Sequence, residues 1–341
     1  MTEHRRESLI AVSRVTGKAA APPLQPALLL AAVLLALAAA TPWIGNRYHV
    51  SFVFVLLMYL ALTATYDLVG GYMGYINLGH GAFFGLGAYV YGIMVSRGGP
   101  PALALAFAAV AAAAFARLIA VPIFRLRGVY FAIATFGILK LLEVLAVNLD
   151  TMTGGTPGLS IAPTASTLPT FYLMLGAAVA GVGLNAWVAN SRLGLGLVSI
   201  REDEEVAEAS GIDTQRLKAN VLMLSAIVPG VAGAIYMWQL TYINPTTAFG
   251  VELSFAPIIM AMLGGTGTLA GPLVGTVFLS LIEELLWSQL GYLHLTMYGL
   301  VLVLVGILMP GGLMRSRAFS RLYRALAIPD HYGYRSRPNR A

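Results

Sequence analysis

Apolar residues along this chain gather into long runs, separated by short polar or glycine-rich stretches. Ten runs stand out, at about 24–44, 50–69, 82–95, 101–122, 129–147, 171–189, 220–240, 253–265, 268–288 and 296–313. A helix needs roughly 20 apolar residues to cross the hydrocarbon core of a bilayer. Lipid supplies no hydrogen-bond partners, so each run must satisfy its own backbone and is therefore helical. The pattern predicts an all-α polytopic membrane protein of about ten transmembrane segments. Two runs, 82–95 and 253–265, are short, and each adjoins a glycine-rich break. The first break is Gly70-Gly71-Tyr72-Met73-Gly74-Tyr75-Ile76-Asn77-Leu78-Gly79-His80-Gly81, and the second is Gly264-Gly265-Thr266-Gly267-Thr268-Leu269-Ala270-Gly271-Pro272. Broken helices at matching places in two halves point to a path near the midplane. Glycine also lets helices approach closely in lipid, and both readings stand together.

The polar stretches are as informative as the apolar ones. Five of the 15 acids lie between Glu202 and Glu208, inside a loop at 191–218 that must lie outside the bilayer. Ser199-Ile-Arg-Glu202 matches a capping box, which predicts a helix starting at Ser199. Glu202, Asp203, Glu204 and Glu205 then occupy its first turn, where the helix dipole favours negative charge. Gly211 stands where about three turns end in a left-handed cap, and Asp213 can cap the next span. Val206, Ala207, Ala209 and Ser210 would give such a helix a small, flat face. A face of that kind suits a groove on a soluble partner; the plainer alternative is a solvated loop helix.

Composition agrees with a membrane protein. Hydrophobic residues make up 58% of the 341 and charged residues 11%, against about 25% charged in soluble domains. The net charge of +6 does not mark a nucleic-acid binder, because the basic residues flank the apolar runs instead of forming one patch. With the N-terminus inside, the inner segments carry Arg5, Arg6, Arg14, Lys18, Arg125, Arg127, Arg192, Arg201, Arg216, Lys218, Arg315, Arg317, Arg321, Arg324, Arg335, Arg337 and Arg340. Arg47 and Arg97 fall outside, and Arg117 and Lys140 lie within runs. This is the positive-inside asymmetry, with both termini cytoplasmic. Trp43, Tyr48, Trp238, Tyr242, Trp287 and Tyr292 fall at the outer boundary, where amphipathic rings settle. Residues 1–22 and 316–341 then read as basic cytoplasmic tails, the second held loosely by anionic lipid. They flank a membrane domain at 23–315. The run at 24–44 is longer than a secretory signal core and is read as a retained span.

Candidate chemistry is sparse. The chain contains no cysteine, which removes disulfides and thiolate ligands. No phosphate-binding Gly-x4-Gly-Lys-Ser/Thr loop and no His-Glu-x-x-His cluster occur in it. No cofactor or metal is expected, and a membrane-embedded enzyme would need clustered catalytic groups that the runs lack. His80 reads as a helix-packing hydrogen-bonding group. Lys140 and Glu143 are three residues apart and can pair on one helical face as a structural bridge. Asp67, Glu252, Glu283 and Glu284 sit near the ends of runs, where water is expected to solvate them.

In order along the chain, Asp67-Leu-Val-Gly-Gly-Tyr-Met-Gly with Leu78-Gly-His-Gly-Ala-Phe-Phe-Gly-Leu-Gly-Ala-Tyr89, Arg125-Leu-Arg-Gly-Val-Tyr-Phe-Ala132, Thr153-Gly-Gly-Thr-Pro-Gly-Leu159, Ser191-Arg-Leu-Gly with Ile200-Arg-Glu-Asp-Glu204, Pro245 with Phe249, Leu263-Gly-Gly-Thr-Gly-Thr268 and Pro310-Gly-Gly-Leu313 resemble the permease subunits of branched-chain amino-acid ABC importers. The resemblance covers roughly 45–315 and is to the longer permease of the pair. It implies half of a translocation pathway in the bacterial inner membrane, completed by a second homologous permease. It also implies two cytoplasmic ATP-binding subunits, which hold the ATP, and a periplasmic substrate-binding protein. By the same resemblance the loop 199–213 is the coupling helix, with Arg201, Glu202, Asp203, Glu205 and Gly211 as ATPase-coupling residues. Gly71, Gly74, Gly79, Gly264, Gly265 and Gly267 supply pathway flexibility, and Asn77, His80 and Thr135 are candidate lining residues. The family commonly has an acid where Lys140 stands, a base where Glu143 stands and Ser where Asn77 stands. These departures bear on the substrate, for which branched-chain or other hydrophobic amino acids compete with urea, short amides and aromatic acids. A stand-alone secondary carrier or channel is the rival of another class.

Overall fold

A computed structural model describes residues 25–162 and 167–290. The expected run at 296–313, both tails, the Pro310 motif and Tyr292 lie outside the described residues, as does the side chain of Trp287. Each of the other nine expected runs coincides with a helix. The long helices are α1 (Gln25–Ile44), α2 (Arg47–Asp67), α3 (His80–Ser96), α4 (Pro101–Ile123) and α5 (Val129–Asn148), with a short α6 (Asp150–Thr153) after them. Then come α7 (Thr167–Ala189), α8 (Arg192–Glu202), α9 (Glu204–Ala209), α10 (Thr214–Leu240), α11 (Pro245–Ala248), α12 (Glu252–Gly264) and α13 (Ala270–Leu290). Among the described residues seven helical stretches are long and apolar enough to cross a membrane. The fold is thus all-α and polytopic. α3, with 17 residues, is a short central helix, as the sequence implies.

The bundle is built on α10, which packs along α3 and α4, while α2 packs on α7 and on α12. Its contacts are made by small residues. α4 buries Ala104, Ala108, Ala112, Ala116 and Ala120, one per turn along a single stripe. Gly230 of α10 fits against Ala108 and Ala112, and Gly233 fits against the backbone of Phe84. Lipid tails are as apolar as leucine, so close van der Waals contact, and not expulsion from water, holds such helices together. A side chain at either glycine would force them apart.

The two ends of the bundle differ. At one end Trp43 donates to the Tyr172 hydroxyl at 2.9 Å, and two short strands, β1 (Leu159–Ser160) and β2 (Tyr242–Ile243), pair antiparallel. At the other end lie Arg125, Arg127, α8, α9 and the start of α10. The first is the aromatic end and the second the basic end.

Candidate functional site

At the basic end the two glycine breaks touch. α2 loses its α-helical register after Asp67 and widens into a single π-turn, Leu68–Tyr72. Such turns arise where a helix accommodates an extra residue, and they recur at functional sites. Gly71 in that turn lies against the Asp67 carboxylate and the Gly267 amide, so a Cβ there would overlap both. Asp67 accepts the Gly267 N–H at 2.8 Å and the Asn185 amide at 3.4 Å. Asn185 also donates to the Ala64 carbonyl at 2.9 Å and accepts from the Tyr72 hydroxyl at 3.3 Å. One carboxylate thereby ties together α2, α7 and the second break. The sequence places Asp67 at a solvated span end, but it is fully buried. The second break and α8 close over it, and its hydrogen bonds replace the water.

Arg201, in the last turn of α8, reaches into this junction. Its Nη1 donates to the Gly71 carbonyl at 2.9 Å, and its charge acts on Asp67. Its side chain covers Gly74 and borders Gly267. Glu202 pairs with it at 3.5 Å and is 63% exposed. Arg201, one of the ATPase-coupling residues that the resemblance implies, thus bonds inward to the first break while its side chain stays 34% exposed.

The capping box is not used as the sequence suggests. Ser199 lies inside α8, its hydroxyl donating to the Leu195 carbonyl at 3.0 Å. Asp203 breaks the helix with an extended backbone and caps α9, accepting the N–H groups of Glu205 and Val206 at 2.9 and 3.1 Å. Serine and aspartate cap helices about equally well, so the choice falls to the bonds that draw Glu204 inward. In place of one helix from Ser199 to Gly211, the chain forms an 11-residue α8 that ends at Glu202 and a six-residue α9, with a corner at Asp203 between them. Gly211 has the left-handed φ of +87° that the cap requires, and Asp213 caps α10 by accepting from Arg216 N–H at 3.0 Å.

The corner turns Glu204 inward. Lys218 donates to its Oε1 and the Tyr75 hydroxyl to its Oε2, both at 2.6 Å. Arg127 approaches Oε1 at 3.8 Å. Lys218 is fully buried, with its ammonium 5.3 Å from the Tyr75 ring centroid and 5.4 Å from that of Phe124. Burial alone would raise the Glu204 carboxyl, but the bonds from Lys218 and Tyr75 and the charges of Lys218 and Arg127 bring it below its ordinary range. Ala207, one turn on, is buried beside it, while Asp203, Glu205, Val206, Ala209 and Ser210 are exposed. The flat face anticipated for Val206, Ala207, Ala209 and Ser210 thus loses Ala207 to the interior.

The remaining candidates form separate groups. Asn77 accepts the Gly79 N–H at 2.9 Å, and Thr135 accepts the Leu78 N–H at 3.1 Å, which docks the first break on α5. Asn77, Gly79 and Thr135 line one cavity of about 10 Å³ with Phe83, Ile119 and Leu222, room for about one water molecule. His80 does not join them; it is buried against Tyr66 and Phe83, with Nε2 3.3 Å from the Thr65 hydroxyl. Gly264 packs on Gly271 and Gly275, where α12 and α13 cross. Gly265 turns the chain between those helices with φ +119°. Lys140 and Glu143 pair at 2.6 Å on α5. Among the described residues no three His, Cys, Asp or Glu gather as a metal site.

Asp67, Asn185, Glu204, Lys218 and Tyr75 hold the junction together, yet the sequence pattern marks none of them as a site residue. Asp67 and Lys218 carried a usable signal, since a charge at the edge of an apolar run needs a partner. Their partners lie far away in sequence or behind a helix corner.

The family model described as the permease component of the branched-chain amino acid transport system matches residues 48–308. The high-affinity branched-chain amino acid transport system permease protein LivM of Escherichia coli K12 is 28% identical over 82% of this chain and 73% of its own length. LivH, a permease protein of the same system in that strain, is 29% identical over 40% of this chain and 44% of its own. The ribose import permease protein RbsC of that strain is 28% identical over 30% of this chain and 34% of its own. No solved structure matches. With its all-helical membrane bundle, its two converging glycine breaks and a family match over most of its length, the chain belongs to the permease components of branched-chain amino acid transport systems.

Proposed function

We propose that this chain is the membrane-spanning permease subunit of an ATP-driven importer in the bacterial inner membrane. One observation carries the reading. The 201–213 segment is bonded inward to the first glycine break, through Arg201 to Gly71 and Glu204 to Tyr75, while Glu202, Asp203, Glu205 and Val206 face outward. A push on the outward face is thereby delivered to the place where two broken helices meet. The basic end is cytoplasmic in this reading, and a separate ATP-binding subunit seats on α9. Closure of the two ATP-binding subunits shifts α8 and α9, and the junction at Asp67, Gly71 and Gly267 changes its packing to alternate access. The chain itself binds no ATP and catalyses no reaction.

The cavity lined by Asn77, Gly79 and Thr135, at about 10 Å³, is too small for an amino acid. The route therefore lies against a second, homologous permease or opens only in the cycle. A substrate-binding protein delivers solute to the aromatic end. The substrate class is branched-chain or other hydrophobic amino acids, supported by the named systems of the relatives. Urea, short amides and aromatic acids are the rivals.

The test is uptake by the assembled complex in vesicles, with a panel of labelled amino acids, amides and aromatic acids. Accumulation of branched-chain amino acids that needs ATP and all the subunits is expected. Accumulation by the purified chain alone, with no ATP-binding subunit, would instead make it a secondary carrier.

A further inference from the structure

Outside the junction lies a second cluster of charge. Between the basic ends of α4 and α10 lies an open groove of about 330 Å³, lined by Arg117, Ala120, Val121, Arg125, Gln215, Arg216 and Ala219. Three arginines, Arg117, Arg125 and Arg216, contribute to its lining. The nearby acid is Asp213, which holds Arg216 at 3.0 Å and is itself half exposed. Arg117 and Arg125 have no acidic partner among the described residues. Arg127, two residues beyond Arg125, points the other way and is committed to Glu204 and Glu205. The first turn of α10 adds the positive end of its dipole to the same field.

The position of Arg117 says what sort of anion fits. It stands six residues before the end of α4, roughly 9 Å up the helix, within an apolar span. An arginine there reaches its charge toward the interface, where a negative headgroup is the partner at hand. The face beside it is an exposed apolar stripe, Leu103, Phe107, Val110, Leu118 and Val121, that runs along α4 to the groove. A free anion would use the guanidinium groups alone and gain nothing from the stripe. A molecule with an anionic head and an acyl tail covers both.

We propose that this groove is a binding site for an anionic phospholipid, with its phosphate held by Arg117, Arg125 and Arg216 and an acyl chain lying along the α4 stripe. General charge asymmetry would spread lipid evenly over the basic residues of this end. The groove concentrates it at one place, next to the helix pair that forms the centre of the bundle.

The experiment uses the full-length chain, purified in detergent, stripped of lipid and titrated with phosphatidylglycerol or phosphatidylcholine, with bound lipid counted by native mass spectrometry. Selective retention of phosphatidylglycerol is expected. Arg117→Gln combined with Arg125→Gln should weaken it roughly thirtyfold, each charge near the surface contributing about fivefold. Arg192→Gln, an exposed arginine elsewhere at this end, should leave it unchanged. If the double variant binds phosphatidylglycerol like the parent, or if phosphatidylcholine binds equally well, the site is wrong. Equal protection of the fold by inorganic phosphate alone would make it an anion site and overturn the lipid assignment. A photoactivatable phosphatidylglycerol on the unmodified chain gives a readout independent of folding in the variants. Labels on 114–126 and 214–220 support the groove, and labels confined elsewhere refute it.

Discussion

Glu204 accepts from Lys218 and from Tyr75 at 2.6 Å each, and those bonds make it a source of pH-dependent stability. Its folded carboxyl lies below the ordinary glutamate range, so the folded state binds its proton less tightly than the unfolded chain does. The contribution is fully present above the unfolded value, about 4.3, and is lost as the pH falls through the lower folded one. Glu204→Gln should therefore lower the melting temperature at neutral pH and flatten the acid limb of the melting profile in detergent. A variant with the same acid limb as the parent would remove Glu204 from that role. Lys140 and Glu143 test a simpler pairing. Lys140→Ala strands a carboxylate that is 18% exposed, a loss of about 1–3 kcal/mol. Lys140→Ala with Glu143→Ala should cost less, because no charge is left alone; equal melting temperatures for the single and double variants would contradict the pair. This pair was legible in the sequence because i and i+3 on a helix are neighbours whatever the tertiary fold. Asp67 was not, because its partner amide at Gly267 is 200 residues away and no local rule brings the two together.

Helix existence was legible for the same local reason, since a long apolar run in lipid has no other way to satisfy its backbone. The α8–α9 corner was not, because Ser199 and Asp203 both satisfy the rules for a cap and only the inward pull on Glu204 selects between them. That corner fixes what substitutions should do. Gly211 has φ +87°, which proline cannot adopt, and its N–H donates to the Glu208 carbonyl at 2.9 Å. Gly211→Pro breaks both and should misplace α9 without disturbing the spans. Normal membrane insertion with uptake reduced at least tenfold is expected, and co-purification with the ATP-binding subunit should fall in parallel. Unchanged association and uptake would show that α9 is a solvated turn with no partner. Gly71→Ala acts on the other side of the same strut. Its methyl group would meet the Asp67 carboxylate and the Gly267 amide, an overpacking cost of about 1–3 kcal/mol. It should abolish uptake while the ATP-binding subunit still associates, which separates a damaged gate from a damaged dock.

Across the whole molecule, the difference between the two ends fixes which way the proposed machine must work. The Ala104-to-Ala120 stripe and the glycines of α10 make the centre of the bundle a rigid, closely packed body. Movable contacts are then expected where backbone is broken, at the basic end. An ATP-binding subunit can drive them only from that side, so the proposed mechanism and the membrane orientation stand or fall together. The absence of cysteine allows a direct check, because a single introduced thiol reports alone. Val206, 61% exposed, lies on the outward face of α9, and Trp43, 85% exposed, lies at the aromatic end. Val206→Cys should react with a membrane-impermeant maleimide in inside-out vesicles and be protected in right-side-out ones. Trp43→Cys should show the reverse. Labelling of Val206→Cys from the periplasmic side would turn the chain over in the bilayer. It would put α9 beyond the reach of any cytoplasmic ATP-binding subunit and leave the Arg201–Gly71 contact as a packing detail of the fold.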